Sequence, residues 1–500
     1  MTDFALYLML MGMLSSGQGM PFWATANQYG LWGDCGPYAA ATVIGAYSDF
    51  DESRTFQWRC GGSLAAVVQP SDGFDGGIPG KTGARVIPDE LYASGRWKAL
   101  RLDIGMKHRE REFLAGNGLL GSLSTSSGHM VESGNTRAMP GYEAVLEPVA
   151  IPVFGGRLSI AGAFGDYKTL DDRYVKGALV HRMKAYIRYD FSPVFYAQIG
   201  LDHYALWGGN SPDHGQMPTS FADYLRVITG RSASATGTAS DQINVIGDQG
   251  GAEQFRFGWK TSGGTLTLQY EKPYSDKSGM TFQNIPDGLY TLHFARKDRH
   301  AWISDVLLER MYTMYQSGTI HDMELDDEGR KIIWNRDSGL NFNGGDDYFV
   351  NFEYKSGWSY YGRSICTPLL TPDWRREQNT RAKAWHLGLA GELFREAPYK
   401  LMLTLSTNYG TYFKPFFPIP GTEYGSAWNT GWKWWQKDVY DKGLRQFSAA
   451  FTCCLPLSSG RGKASVDAVC GLYTDIGEYI RFRTGSPCVC AISFGIRIGL

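Results

Sequence analysis

The densest grouping of residues suited to recognition chemistry is Trp428, Trp432, Trp434, Trp435 and Tyr440. Sugar rings present apolar C–H faces that stack on aromatic planes, and the interleaved Asn429, Lys433, Lys437 and Asp438 carry groups that bond hydroxyls. The same composition describes the aromatic girdle of a membrane interface, so the cluster reads either as a polysaccharide platform or as a girdle. The run His321, Glu324, Asp326, Asp327 and Glu328 is acidic enough for Ca2+. Asp327 stands where a calcium loop needs its sixth-position glycine, which favours a solvated loop. Gly116-Asn-Gly118-Leu-Leu-Gly121 has G-x-G-x-x-G spacing, but the charged segment His108 to Glu112 precedes it where a dinucleotide site needs a strand. Gly80-Lys81-Thr82 ends like a phosphate loop whose first glycine would be Asp75, a carboxylate that repels phosphate. Neither G-x-S-x-G nor H-E-x-x-H occurs, and the nine histidines form no metal-ligand pattern. No catalytic residue, metal site or cofactor is therefore expected, and the chain does not read as an enzyme.

Such residues need elements to position them. The chain has 500 residues with 49 basic and 50 acidic side chains, a balance that excludes the basic footprint of a nucleic-acid binder. Gly 62, Tyr 29, Phe 26 and Trp 15 against Pro 21 suit many strands joined by tight turns. No stretch approaches the roughly 20 apolar residues of a transmembrane helix. The best candidate, Ala5 to Leu14, is about half that length and reads as a first strand, Phe4 to Met13. No Lys or Arg precedes Arg54, so this run is not a signal peptide, and the expectation is a mature form whose export signal is removed or absent. Cys35, Cys60, Cys366, Cys453, Cys454, Cys470, Cys488 and Cys490 lack zinc-site spacing and read as small buried or lipid-facing residues, with one or two disulfides allowed.

Alternation with period two dominates. Phe255, Phe257 and Trp259 alternate with Gln254, Arg256 and Lys260; after the turn Ser262-Gly263-Gly264, Leu266, Leu268 and Tyr270 alternate with Thr267, Gln269 and Glu271. The pattern recurs at Tyr290, Leu292 and Phe294, at Trp385, Leu387 and Leu389, at Leu401, Leu403 and Leu405, and at Val466, Ala468, Cys470 and Leu472. It runs to the end, where Ile492, Phe494, Ile496, Ile498 and Leu500 alternate with Ala491, Ser493, Gly495, Arg497 and Gly499. A sandwich buries one such face on a second sheet, whereas a transmembrane barrel turns it to lipid. An apolar strand at the chain end must be held in a sheet, and in a barrel it pairs with the first strand. The polar stretches Gly208 to Gln249 and His321 to Asp347 then become extracellular loops or plugs, with helical spacing at Phe221 to Ile228 predicting a short plug helix. No domain boundary, linker or repeat is visible, so residues 1–500 read as one domain.

Several segments, in order, resemble the capsule-assembly Wzi family of outer-membrane proteins. They are Pro21-Phe22-Trp23 with Asn27-Gln-Tyr-Gly30, then Ser133-Gly134-Asn135-Thr-Arg137-Ala-Met-Pro140, and Trp207-Gly208-Gly209 with Gly215-Gln216 and Asn244. Pro286-Asp287-Gly288-Leu289-Tyr290, Gln316-Ser317-Gly318, Gly344-Gly345-Asp346-Asp347-Tyr348 and Gly357-Trp358-Ser-Tyr-Tyr361-Gly362-Arg363 follow. The resemblance implies a barrel of about 18 antiparallel strands, its lumen occluded by loops or short helices, in which inward Arg256, Lys260 and Arg497 meet plug residues. It also implies a non-enzymatic lectin role, with capsular or exopolysaccharide as ligand.

The expectation is thus an all-β transmembrane barrel in the outer membrane of a Gram-negative bacterium, surrounded by lipid and lipopolysaccharide and open to outer-membrane protein partners. Its expected role is to bind and anchor or organise surface polysaccharide. The alternative is a channel, or a barrel subunit of a larger transport or assembly complex.

Overall fold

The computed structural model describes residues 4–74, 76–108, 125–275, 277–282, 284–316, 347–411, 414–417, 442–458 and 464–499. Eighteen long strands form one sheet: β1 Phe4–Ser15, β2 Tyr38–Ser48, β3 Phe56–Pro70, β4 Thr82–Trp97, β5 Leu100–Met106 and β6 Pro140–Ile151. There follow β7 Leu158–Lys168, β8 Leu179–Asp190, β9 Phe195–Trp207, β10 Asp248–Lys260, β11 Gly264–Tyr274 and β12 Gly288–Arg296. The last six are β13 Asp305–Tyr312, β14 Arg381–Leu393, β15 Ala397–Gly410, β16 Leu444–Ser458, β17 Ser465–Gly477 and β18 Cys488–Gly499. Each strand pairs antiparallel with the next, and β18 returns to β1 in the register Leu10↔Ile496 and Leu14↔Ile492. The final alternating strand therefore closes the barrel, and no edge is left unpaired.

The outward face is the apolar face of the alternation. Phe257, Trp259, Leu268, Trp385, Leu405, Leu472, Phe494 and Ile496 are all exposed, while their neighbours Arg256, Gln269, His386, Thr404 and Asp467 are buried toward the lumen. A soluble protein does not leave so wide an apolar belt in water, but hydrocarbon is its natural solvent. Arg497, turned inward, pairs with Asp467 of the adjacent strand at 2.6 Å, and Arg256 donates to Gln269. β1 alternates poorly because both its faces are apolar. Leu6, Leu10 and Leu14 face out, while Met9 and Met13 pack inside against Trp23 and Trp32.

The connections 49–55, 98–99, 191–194, 261–263 and 394–396 are short and lie at the end that also holds both chain termini. The strand ends joined by the long connections 16–37, 107–139, 208–247, 313–380 and 411–443 are all at the other end. Short turns face the periplasm in such barrels and long loops face outside. The helix predicted at Phe221 to Ile228 is present, started by a capping box between Ser220 and Asp223. It is not a plug helix. Val227 and Tyr224 pack on Ala205 and Trp207, which belong to the outward face of β9, so the helix lies against the outside of the wall. The eight cysteines, all among the described residues, form no disulfide. Cys488 and Cys490 face outward on β18, and Cys366 is buried.

Candidate functional site

Among the described residues, three long chain segments fold into the lumen, and they are rich in the residues that a sequence reading assigns to loops. Residues 16–37 carry the turn of helix Phe22–Thr25. The Phe22 amide donates to Asp475 of β17 at 2.8 Å, and Trp23 Nε1 donates to Thr404 of β15 at 3.0 Å. Residues 125–139 are almost wholly buried although many are Ser, Thr or Gly. Ser126 and the Ser127 amide donate to Glu309 of β13, and the Met130 amide donates to Glu271 of β11. Residues 347–380 bring Tyr348, Phe349, Tyr354, Trp358, Tyr360 and Ile365 into one apolar cluster with Tyr204 and Leu206 of β9 and Met311 of β13. The Trp358 ring stacks on Tyr204 with centroids 4.0 Å apart. The plug thus has its own hydrophobic core and is tied by hydrogen bonds to strands around the wall.

The centre of the plug is an ion cluster. Asp34 meets Arg363 at 2.6 Å, Arg376 at 2.9 Å and Arg483 at 3.6 Å, and accepts from Thr25 at 2.8 Å. Arg376 also reaches Asp72 at 3.2 Å, and Arg363 donates to the Trp32 carbonyl. Burial alone would raise the Asp34 carboxyl, but the three guanidinium groups outweigh it and hold the group well below the usual carboxylate range. One carboxylate therefore ties together the first long connection, the 313–380 connection and the last connection.

The segments that carry the Wzi resemblance meet here. The Tyr29 amide donates to the Gly134 carbonyl, the Asn27 amide to Asn135, and the Arg137 guanidinium lies 4.3 Å over the Tyr361 ring. Gly30 has a positive φ, and a Cβ there would stand 3.0 Å from the Arg137 amide nitrogen, so only glycine fits. Asp287 accepts from the amides of Met314, Tyr315 and Gln316 and from the Tyr348 hydroxyl. Burial leads the causes that push Asp287 up to about 6, the donors pulling the other way. The Gly208 carbonyl accepts from Tyr354. These signature residues, among the described ones, are thus plug and plug-contact residues.

Below the plug, toward the turn end, is a cavity of about 470 Å³. Its walls are the inward faces of β5 to β8 with Asp202, Gln254 and Glu271, and its ceiling is His129, Val131 and Glu132 from the plug. The lining is charged and largely cross-linked. Asp103 meets Arg101 at 3.2 Å and Lys107 at 2.9 Å, while Glu132 meets Arg182 at 3.0 Å and Lys184 at 2.7 Å. His129 meets Glu271 at 2.5 Å. Burial disfavours the charged imidazole, and the Glu271 carboxylate overrides it, so the His129 pKa is raised. Burial pulls the Lys107 ammonium down, Asp103 restoring it only in part. Such fixed, paired charges suit the hydroxyls and ions of a polar solute.

Trp428, Trp432, Trp434, Trp435 and Tyr440 lie outside the described residues, as do the acidic run from His321 to Glu328 and the glycines 116, 118 and 121. Among the described residues no group of His, Cys, Asp or Glu is arranged to hold a metal. What sequence reasoning missed is the chamber and which buried segments build the expected plug. Their one visible signal was the cluster of glycine-flanked polar signatures.

No protein-family model matches the chain, and no curated relative does. Among solved structures it is similar to Pseudomonas aeruginosa OccK5 (OpdH), at 10% identity over 100% of this chain and 98% of that one, with a TM-score of 0.45. It is also similar to Acinetobacter baumannii OccAB2, at 10% identity over 100% and 98%, TM-score 0.44. The Pseudomonas aeruginosa outer membrane protein opdK gives 9% identity over 100% and 98%, TM-score 0.45. The pairing and the surface of the chain itself carry the assignment: a closed antiparallel sheet, an apolar belt and both termini at the short-turn end. The chain is an 18-stranded transmembrane β-barrel of the Gram-negative outer membrane, its lumen occupied by its own loops.

Proposed function

We propose that this barrel acts at the cell surface by holding or organising capsular or exopolysaccharide, and not by passing solute through an open bore. The observation that carries this reading is the plug, whose apolar core and partly buried ion cluster make it part of the folded barrel. Four of the segments that resemble the capsule-assembly Wzi family, at Pro21 to Gly30, Ser133 to Pro140, Asp347-Tyr348 and Gly357 to Arg363, lie in the plug, which supports a common architecture. Trp428, Trp432, Trp434, Trp435 and Tyr440 would supply the sugar-stacking groups.

One observation favours a second reading, a channel or a barrel subunit of a transport or assembly complex. The charged chamber of about 470 Å³ lies on the periplasmic side of the plug, where a polar solute would wait for the plug to move. Two measurements separate the readings. Deleting the gene and comparing cell-attached with shed polysaccharide should show loss of attachment with normal synthesis, and the purified barrel should be silent in a planar bilayer. Steady conductance together with an unchanged surface coat would overturn the anchor in favour of the channel.

A further inference from the structure

The lipid-facing belt does not end in bare wall on the flank formed by β7 to β11. At the loop end the outward positions become polar: Asp166 on β7, His181 on β8, His203 on β9, Gln249 and Glu253 on β10, and Lys272 on β11. Charged groups turned outward at the edge of a bilayer are costly unless they are covered and paired. Here they are both. Tyr224 of the external helix Phe221–Ile228 donates to Asp166 at 2.7 Å, and His181 meets the same carboxylate at 2.8 Å. Lys272 pairs with Glu253 at 3.1 Å, donates to the Gly279 carbonyl and sits 4.5 Å from the Phe282 ring centroid. It is fully buried although it points away from the lumen.

Two connections, 208–247 and 275–287, thus fold back over the outside of the wall and spend their polar groups on it. What they turn away from the wall includes several large apolar side chains. Phe221 and Ile243 are each 74% exposed, and Leu225, Met280, Phe282 and Ile285 are also exposed. The helix is amphipathic in an unusual sense: its polar Asp223 and half-polar Tyr224 face inward, and its Phe221 and Leu225 face out. Ile199, Leu201 and Phe257 of the lipid-facing belt lie lower on the same outward strand faces that these connections cover. Exposed Arg231 follows the helix and supplies a cation at the level of anionic headgroups.

We infer that the two folded-back connections form a lipid-contact surface, in which Phe221, Leu225, Ile243 and Phe282 take up acyl chains of the outer leaflet. The occupant is lipid because this surface continues the belt that hydrocarbon already covers, and because the carboxylates Asp166 and Glu253 in the wall beneath are paired within the chain. An apolar face set just above the hydrocarbon edge, with a basic residue beside it, is the arrangement of an interfacial helix.

The test places a benzoylphenylalanine photo-crosslinker at Phe221 or Ile243 in the full chain, expressed in cells, with His214 as the control position. His214 is exposed on the same connection, but its neighbour Asp213 pairs with Lys355 above the plug, away from the flank. Heat-modifiable electrophoretic mobility verifies that each variant is a folded barrel. Irradiated outer-membrane vesicles should give lipid-mass adducts at 221 and 243 at least fivefold above those at 214. Adducts of protein mass at 221 and 243 would mean that a partner protein or a second copy covers the flank, and would overturn the inference. Equal lipid labelling at all three positions, or none at 221 and 243, would overturn it as well.

Discussion

Replacing Asp34 by Asn tests whether the plug is held by its central carboxylate. The amide keeps the size of the side chain and an oxygen for the Thr25 hydroxyl, now 2.8 Å away, but removes the charge facing Arg363, Arg376 and Arg483. Breaking one side of a buried ion pair costs about 3–5 kcal/mol because the partner charge is left uncompensated. Arg376 retains Asp72 and Arg363 retains the Trp32 carbonyl, so the lower end applies. About 3 kcal/mol is about a hundredfold in the equilibrium between docked and released plug. Hydrogen exchange of residues 16–37 and 347–380 should accelerate by that factor, and bilayer recordings should show brief openings absent from the wild type. Pairing D34N with R363M should recover part of the loss, since it removes one stranded cation. The pH dependence has a definite sign. The carboxyl of Asp34 is depressed by its arginines despite burial, so its contribution is present above the unfolded carboxylate value of about 3.9 and is lost only as pH falls through the far lower folded value. The wild-type plug should therefore stay docked at pH 4. If D34N left both exchange and conductance unchanged, the ion cluster would not be what retains the plug.

The His129–Glu271 contact has the opposite sign: the raised imidazole contributes fully below about 6.5 and its contribution fades as pH climbs through the raised value. Exchange protection of residues 125–139 should therefore drop between pH 6 and pH 9 in the wild type, whereas His129→Gln should flatten that profile; an unchanged slope in the variant would place the titration elsewhere. Phe494 sits mid-strand on the lipid face of the closing strand, so Phe494→Arg should cost about 2–4 kcal/mol in urea unfolding from liposomes. A loss under about 0.5 kcal/mol, within the scatter of such an unfolding measurement, would mean that this face does not meet hydrocarbon.

The wall was largely legible from the chain because its physics has one period. Wherever one face meets lipid and the other a polar interior, as at Leu266 to Glu271 or Ile492 to Arg497, alternation shows in the sequence, and the terminal strand then implies closure. β1 was harder to read, since Met9 and Met13 face an apolar plug and the contrast between faces disappears. The plug itself was not legible in detail. Residues 125–139 are Ser- and Gly-rich, the composition of a solvated loop, yet they are buried because inward carboxylates such as Glu309 and Glu271 bond their amides. Composition alone does not distinguish water from protein as the partner of a polar segment. The resemblance implied an occluded lumen, and the occlusion is present. The helix Phe221–Ile228 shows a different limit: its spacing specifies a helix with two unlike faces, but the pattern is the same whether the face against the wall packs inside or outside.

The ion cluster also has a chronology. Asp34 lies in the first long connection and Arg483 in the last, while Phe22 and Trp23 dock on β17 and β15. The N-terminal piece of the plug thus has no complete berth until nearly the whole chain has arrived. Each inserted segment is anchored to the rim at both of its ends, so it reaches the interior as a loop of the wall and not as a separate cork. Contacts between the two extremes of a chain close the longest loops and form late. Completion of the seam between β1 and β18 and neutralisation of Asp34 by its third arginine therefore belong to one stage of assembly. A barrel stalled before its final hairpin carries both an open edge and an unfinished interior, which marks it chemically as incomplete.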